Sequence, residues 1–576
     1  MAEGVRIGNC SGFYGDRLSA MREMLEGGPL DYLTGDYLAE LTMLILGRDA
    51  MRDSSSGYAK TFLRQLEDCL GLALEKGVRI VSNAGGLNPA GLVGAIERLG
   101  TGAAVAYVDG DDLRGRLPDH PGALTANAYL GAFGIARALD AGADVVVTGR
   151  VTDASVVVGP AIAHHGWTRD DLNALAGAVV AGHVIECGTQ ATGGNFSGFL
   201  DAGLGGAAPL GFPIAEIAAD GSAVITKHPG TGGVVTIDTV TAQLMYEIQG
   251  THYLGPDVTA DLASIRLGSD GADRVSITGV RGEAPPVQLK VAVNELGGFR
   301  NSVEFVLTGL DLDAKAAWLR TQLEAALPDG PDYAWSTYRV PAPDSPTEEG
   351  AACLLRLTAR AADANLVGRA VTAPAIELAL ASYPGFHVTA PPTKPSPYGV
   401  YQAAYVGRDR VTETVHLPGG AVEEIPPPTS LAEPGRNRQP VSDNATARAN
   451  FVPIRRDFGP ARPLGDLVYA RSGDKGGDAN VGLWVPQDRP DAAVDWLLAT
   501  ATPDWVRELV PEAAALEIDV TPLPNLRGVN VVIHGLLGRG VAESTRFDPQ
   551  AKALGEWVRS RHVTMPVDLL PGGSPP

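Results

Sequence analysis

Cysteine is scarce: Cys10, Cys69, Cys187 and Cys353 are the only four in 576 residues. They lie far apart and make no C-x-x-C pair, which argues against a zinc knuckle or a disulfide framework. The ten histidines include no H-x-H or H-x-x-x-H pair, and the neighbours His164 and His165 point to different sides of a helix. No histidine-based metal site is expected. No apolar run approaches the roughly 18 residues of a membrane span. Met1–Gly8 lacks a basic region followed by an apolar stretch, so no signal peptide is expected and a cytoplasmic location is the default. Positive charge is also short, with 46 Lys and Arg against 67 Asp and Glu, a net charge of −21. Such a surface repels polyanions, which argues against a nucleic-acid partner. The first glycine loop has glycines at 8, 12 and 15, not the dinucleotide fingerprint, and there is no Walker A motif. No G-x-S-x-G elbow is present, which argues against an ordinary α/β-hydrolase.

What is present is an ordinary globular mixture, 45% hydrophobic and 20% charged, long enough for about three to four domains. The 71 glycines and 42 prolines punctuate apolar runs and predict many loops. Over the first 160 residues short β-rich runs alternate with helical patterns. The runs are Val5–Asn9, Asp31–Leu33, Arg79–Asn83, Ala104–Asp109 and Asp144–Gly149. Between them, Phe62, Leu66, Leu70 and Leu74 repeat every four residues and predict one helix over Tyr58–Glu75. A second is predicted over Tyr129–Ala141. Apolar strands alternating with helices predict a parallel sheet covered on both faces. An α/β domain is therefore expected over 1–230, followed by an α+β lobe over 231–425. Pro426-Pro427-Pro428 opens a linker over 426–460. The element order in 461–576 predicts a small ferredoxin-like α+β domain.

Each early strand ends in polar or glycine-rich sequence, and in parallel sheets these ends share one edge where ligands bind. The loops offer Asn9, Cys10, Ser11 and Asp16; Asp36 and Glu40; Asn83, Gly85 and Gly86; Asp109; and Arg150 with Asp153. Glu186 and Cys187 lead into Gly193, Gly194 and Asn195. Asn88-Pro89 reads as a helix cap, with an anion site at that helix N-terminus as the alternative. Carboxylates in a partly apolar pocket can move protons near neutrality, and Asp153 and Glu186 stand out because turn residues flank them in apolar sequence. Solvated or capping roles remain open for each. Cys187 would be a nucleophile only with a base beside it. His183 and His228 sit beside glycine clusters. Ser472-Gly473-Asp474-Lys475 matches S-x-x-K, but Gly473, Gly476 and Gly477 disfavour the helix this pairing needs. An anion-binding loop over 471–480 using Ser472 and Lys475, or an exposed hairpin turn, fits better.

Together the segments 8–17, 31–40, 82–89, 148–155 and 186–195 resemble the acyclic terpene utilisation protein A (AtuA) family. So do Tyr246-Glu247-Ile248-Gln249 and Tyr253–Val258, and Arg471–Gly476 resembles the start of the family's ferredoxin-like C-terminal domain. The resemblance implies a branched or isoprenoid acyl-CoA, or a related carboxylate, as small-molecule substrate.

The expectation drawn from both lines is an enzyme of hydratase, lyase or isomerase type. Asp153 or Glu186 would act as base. Arg150 and Asn83, with backbone N–H groups of Gly85, Gly86, Gly193 and Gly194 and with Asn195, would hold an oxyanion or carboxylate. Asn9, Cys10, Ser11, Asp36, Asp109, Cys187, Ser472 and Lys475 would line the substrate site. No cofactor is expected in this reading. The alternatives are a divalent-metal hydrolase or lyase built on Asp16, Asp36 and Asp109, and a non-catalytic ligand-binding subunit of a catabolic complex. A homo-oligomer is expected, with no membrane partner.

Overall fold

A computed structural model describes residues 4–432 and 460–570. The five early β-runs fold as strands: β1 (Val5–Asn9), β2 (Tyr32–Gly35), β3 (Arg79–Ser82), β4 (Val105–Asp109) and, after β5 (Thr125–Ala128), β6 (Val145–Thr148). All but β5 lie side by side in the order β1-β2-β3-β6-β4, and every pairing among them is parallel. Antiparallel strands extend the sheet on both sides to eleven. The parallel strands alternate their apolar side chains between two cores. Leu33, Ile80, Val145 and Val147 face one; Tyr32, Val81, Val146 and Val108 face the other. Both faces must then be covered, which the period of two in these continuous apolar runs requires.

Helices α1 (Ala20–Gly27), α2 (Glu40–Arg52), α3 (Lys60–Lys76), α4 (Pro89–Glu97), α5 (Phe133–Asp140), α6 (Ser155–His165) and α7 (Leu172–Ile185) connect these strands or follow them. The leucine stripe of α3 packs with α1 and α4 on the first core. Asn88 caps α4, its side chain accepting from Gly91 N–H at 2.9 Å, with Pro89 at the first helical position. That acceptor role is what the cap reading requires. Helix α7 is apolar all round, and every residue from Ala174 to Ile185 is buried. It ends at the strand-end edge and delivers His183 and Glu186 there.

The C-terminal domain is α+β, as its element order predicts. Strands Tyr469–Lys475, Asp478–Trp484, Gly528–Ile533 and Ile518–Leu523 form an antiparallel sheet in that spatial order. Helices Asp491–Thr500, Pro503–Leu509 and Leu554–Ser560 supply Leu497, Val506 and Val558 to a core with Val481, Leu483 and Val531. Of the two readings of 471–480, an anion-binding loop or a hairpin turn, the structure shows the hairpin: the strand runs on through Lys475, and the turn is Gly476-Gly477. Gly476 takes φ +67, which an L side chain resists.

The chain divides into two compact units. The first comprises residues up to Asn294, Tyr401–Val541 and the segment from Asp548 onward; the second comprises Glu295–Val400 and Ala542–Phe547. Residues 231–294 and 401–425, grouped with the lobe by sequence, thus pack in the first unit. The second unit has its own core, in which Val303, Phe305, Leu355 and Leu357 from antiparallel strands pack with Leu319 and Leu323 of the helix Leu312–Glu324. Of the linker expected over 426–460, residues 433–459 lie outside the described residues. Among the described residues, no helix is long and apolar enough to cross a membrane.

Two helix glycines should respond oppositely to the same change. A Cβ on Gly71 of α3 would meet nothing within 4 Å, whereas one on Gly177 of α7 would lie 2.1 Å from the Gly221 carbonyl oxygen. Gly71→Ala should raise stability by about 0.5–1 kcal/mol, and Gly177→Ala should lower it by about 1–3 kcal/mol. Thermal melts of the two variants check this; shifts of the same sign would contradict the packing described.

Candidate active site

The C-terminal ends of β1, β2, β3 and β6 converge on the end of α7. Asn9 ties β1 to that helix: its Nδ2 donates to the carbonyls of Ile185 at 2.7 Å and Glu186 at 3.0 Å. Where the β1 loop crosses Cys187, a Cβ on Gly12 would lie 2.5 Å from the Cys187 backbone, so only glycine allows the approach. Asn83, at the end of β3, accepts from Tyr37 N–H at 2.8 Å and donates to Asp36 Oδ1 at 2.5 Å. Both of its polar atoms are thereby used in holding the β2 and β3 loops together. Cys10 is buried, with its N–H bonded to the Thr34 carbonyl, and burial pushes its thiol up. Ser11 donates its hydroxyl to the Phe13 carbonyl at 3.0 Å.

Arg150 follows β6 and is only 3% exposed. Its Nη1 lies 2.7 Å from Asp153 Oδ1 and donates to the Leu38 carbonyl at 2.9 Å, and its Nη2 donates to Tyr129 OH at 3.3 Å. The guanidinium also lies 4.5 Å from the centre of the Tyr129 ring. Asp153 is the more open partner, with 27% of its side chain exposed. Burial raises its pKa, the Arg150 charge pulls it back, and Glu40 and Glu247 push it up again. Asp36 and Glu186 are also raised well above ordinary carboxylates, by burial first and by Asp153 next. The Asp153 charge thus disfavours ionisation of both Asp36 and Glu186. Glu186 Oε1 lies 3.0 Å from His183 Nδ1. Burial, then the Lys475 ammonium, holds His183 down to about 4, so the imidazole is neutral. Glu186 Oε2 and His183 Nε2 are buried without a hydrogen-bond partner, and the Tyr253 ring packs 4.9 Å from the imidazole.

The remaining wall comes from the C-terminal sheet. Its odd positions in the first strand face these loops. Arg471 donates to the Asn195 carbonyl at 3.3 Å and to the Gln190 side chain. A Cβ on Gly473 would meet the Tyr246 ring at 2.4 Å. Lys475 acts on Glu40, Asp153, His183 and Glu186, yet it forms no ion pair among the described residues. Its ammonium therefore acts on these four groups through its field, from beyond ion-pair distance. The cross-strand partners of Arg471 and Gly473 are Gly482 and Asn480. Asn480 accepts from Glu247 N–H at 2.7 Å, and with Asn530 it donates to the Ile248 carbonyl. Glu247 takes φ +57, a left-handed conformation that Asn480 helps to hold.

Other expected residues lie elsewhere or are spent. Asp109 sits on β4, beyond β6, and pairs with His416 at 3.2 Å. Two residues on, Asp111 turns inward and accepts from Arg150 N–H at 2.8 Å and Asn127 Nδ2 at 2.7 Å. The N–H groups of Gly86, Gly193 and Gly194 bond within their own turns, to Asn83, Gln190 and Thr189 carbonyls, and are not free for an oxyanion. Gly85 packs where a Cβ would lie 2.5 Å from the Thr148 carbonyl oxygen. Ser472 faces the domain's own helix, donating to the Ala551 carbonyl and accepting from Gly555 N–H. Asn195 contributes its carbonyl rather than its amide. Cys187 is held as a thiol by burial and by Glu186, Glu247 and Asp36, which removes the basis for a thiolate nucleophile. His228 packs on the Met24 carbonyl at 3.0 Å. Asp16 caps the β1 loop at Gly12 N–H, apart from Asp109, and no metal-competent group of three or more His, Cys, Asp and Glu occurs among the described residues. Tyr246 and Glu247, part of the segment that carries the family resemblance, join the surroundings, as do Tyr129, Lys290 and Lys552, which the loop reading did not single out.

Burial pushes Asp111 up to about 7, against the pull of the Arg150 N–H and Asn127. An unfolded aspartate ionises near 3.9, so between about pH 4 and 7 the folded state holds a proton the unfolded state has lost. Stability contributed by this group therefore falls as pH rises through that window, by up to about 4 kcal/mol. Asp111→Asn should remove that slope and raise the melting temperature more at pH 8 than at pH 5. An unchanged pH dependence in melts of the variant would contradict the assignment.

Comparison with protein families identifies two matches. The chain matches the acyclic terpene utilisation family protein AtuA over residues 5–417 and the AtuA ferredoxin-like domain over residues 462–564. No curated protein and no solved structure matches it. The first match spans the parallel sheet, α7 and Tyr246-Glu247; the second spans the strand that carries Arg471 and Lys475. With the family model covering well over half of its length, the chain belongs to the AtuA family and carries that family's ferredoxin-like domain behind it.

Proposed function

We propose that this chain is an acid/base enzyme acting on a branched or isoprenoid acyl-CoA, or a related carboxylate, by hydration, dehydration or isomerisation. The observation that carries the reading is the gathering of Asp36, Asp153, Glu186 and His183 beside Arg150 and Lys475, with Asp153 alone of the three carboxyls reaching solvent. The family's name supports the isoprenoid class of substrate.

The chemistry follows from the groups present. Asp153, as carboxylate, takes the proton from the carbon next to the thioester or acid carbonyl. The C–H electron pair moves onto the carbonyl oxygen, where the unpaired Lys475 ammonium offsets the charge. Arg150 holds Asp153 in place at 2.7 Å and tempers its basicity. Glu186, kept protonated by burial, donates its proton to a departing β-hydroxyl as the enolate collapses to the alkene. Water and an unsaturated acyl group result, and the reverse sequence hydrates. His183, neutral and 3.0 Å from Glu186, orients that carboxyl. Every proton moved comes from the chain's own groups or from substrate.

Asp153→Asn should lower kcat by about 100-fold or more, and Glu186→Gln should act mainly on the step that expels water. Turnover of branched enoyl- and 3-hydroxyacyl-CoA thioesters, followed with circular dichroism as a fold control, checks this. If both folded variants turn over substrate as the wild type does, the reading fails.

A further inference from the structure

One histidine of the ferredoxin-like domain is bound at both ring nitrogens. His534, directly after the strand Gly528–Ile533, has Nδ1 3.1 Å from Asp478 Oδ2 and Nε2 2.9 Å from Asp519 Oδ2. A neutral imidazole carries one donor and one acceptor, whereas an ionised carboxylate only accepts. Both contacts are therefore hydrogen bonds only when the ring is the imidazolium. Burial opposes that charge, but Asp519 and Asp478 outweigh it and hold the ring above the ordinary histidine range. These two carboxylates are the ionisable groups that act on it most. Glu517, just before the strand that carries Asp519, meets it through backbone, its carbonyl accepting the His534 N–H at 3.0 Å.

Asp478 is also the ladder partner of Lys475, across the turn Gly476-Gly477. Strand alternation carries the docking face from Asn480 to Asp478 and from Asn530 to His534, and Asp519 stands opposite Val532 on that face. The clasp and Lys475 thus share one side of the sheet. The turn itself is fastened to the segment that follows His534. Asp478 Oδ1 accepts from Gly535 N–H at 2.8 Å, and the Gly477 carbonyl accepts from Leu537 N–H at 2.9 Å. A Cβ on Gly477 would run into the Gly538 carbonyl oxygen. Of these fastenings, two pass through the Asp478 carboxylate: one to a backbone amide, the other to a group that titrates near neutrality.

We propose that His534, as an imidazolium clasped by Asp478 and Asp519, is a positioning residue for Lys475: it fixes the hairpin turn beside Lys475 and loosens that turn when it gives up its proton. The proposal rests on the acid/base reading for its bearing on turnover, and it adds a proton-dependent device that sets the field at the carboxyls. With Lys475 loosened, Asp153 and Glu186 lose a charge that eases their ionisation. A raised histidine binds its proton more tightly in the folded chain than in the unfolded one. The clasp therefore contributes in full below about pH 6.5, and its contribution is lost as pH rises through the folded midpoint. Asp478, Asp519 and His534 are all partly exposed, so salt weakens the clasp.

Two measurements on the full chain test this without substrate, so their failure is distinct from failure of the catalytic reading, which turnover tests on its own. Ring-nitrogen NMR of histidine-labelled protein, assigned with His534→Asn, should place the His534 midpoint above about pH 6.5. Asp478→Asn and Asp519→Asn should each lower that midpoint by about 0.5 pH or more. Infrared titration of the protonated carboxyl band should move to higher pH in His534→Asn, the direction expected for Lys475→Met. In a Lys475→Met background His534→Asn should add nothing, because the two residues act through one ammonium. His534→Arg keeps the cation and its donors and should keep the wild-type carboxyl titration. A histidine that served local stability alone would leave the carboxyl band unmoved. If His534→Asn melts early, Asp519→Asn weakens the same clasp and takes its place. A midpoint at or below about pH 6.5, a carboxyl titration superimposable on the wild type, or an equal shift in the Lys475→Met background overturns the proposal.

Discussion

A guanidinium buried at the edge of a parallel sheet is the constraint around which the site is organised. Arg150 is almost wholly removed from water, and an unpaired charge there would cost several kcal/mol. It is satisfied by Asp153 from the start of the α6 segment, the Leu38 carbonyl from the β2 loop and the Tyr129 hydroxyl from the end of β5. Asp111 fixes its backbone N–H. Three chain segments therefore converge on one side chain and a fourth on its backbone. The carboxyls of Asp36 and Glu186 are brought into its field, where burial keeps them from ionising freely.

The second constraint is the two-faced sheet of the ferredoxin-like domain. Its odd-numbered residues Val481, Leu483, Val529 and Val531 pack against the domain's own helices. The opposite face carries Asn480, Gly482 and Asn530, which dock on residues 245–248. Strand alternation then decides what reaches the cleft. Arg471, Gly473 and Lys475 share that docking face, while Ser472 turns to the helices. The domain both seals one side of the site and supplies its unpaired cation.

Much of this frame is legible in the sequence because its signals are local. The strand runs are short and continuously apolar, as a doubly covered parallel sheet demands, and Val145–Val147 show it in three residues. The α3 stripe and the Asn88-Pro89 cap are equally local. The site is legible only in part. Asp153, Glu186, Arg150 and Asn83 stand at strand or helix ends and could be named from the loops they occupy. Asp111 could not be separated from Asp109, because the choice depends on which way a two-residue turn rotates. Lys475 reads as a loop residue because the glycines that follow it make the turn two residues later than composition suggests. Lys290 reaches Tyr129, and Lys552 reaches Tyr246, across more than a hundred residues of chain, and no periodicity records that.

Lys475, carried by the C-terminal domain, places its charge within the field of the carboxyls of the parallel-sheet edge. Its charge lowers Asp153 and Glu186 and depresses His183. Infrared titration of the protonated carboxyl band, in wild type and Lys475→Met, tests this without any substrate. The account predicts that the buried acids of the variant hold their protons to higher pH while the fold melts normally. Superimposable titrations of the two proteins would contradict it.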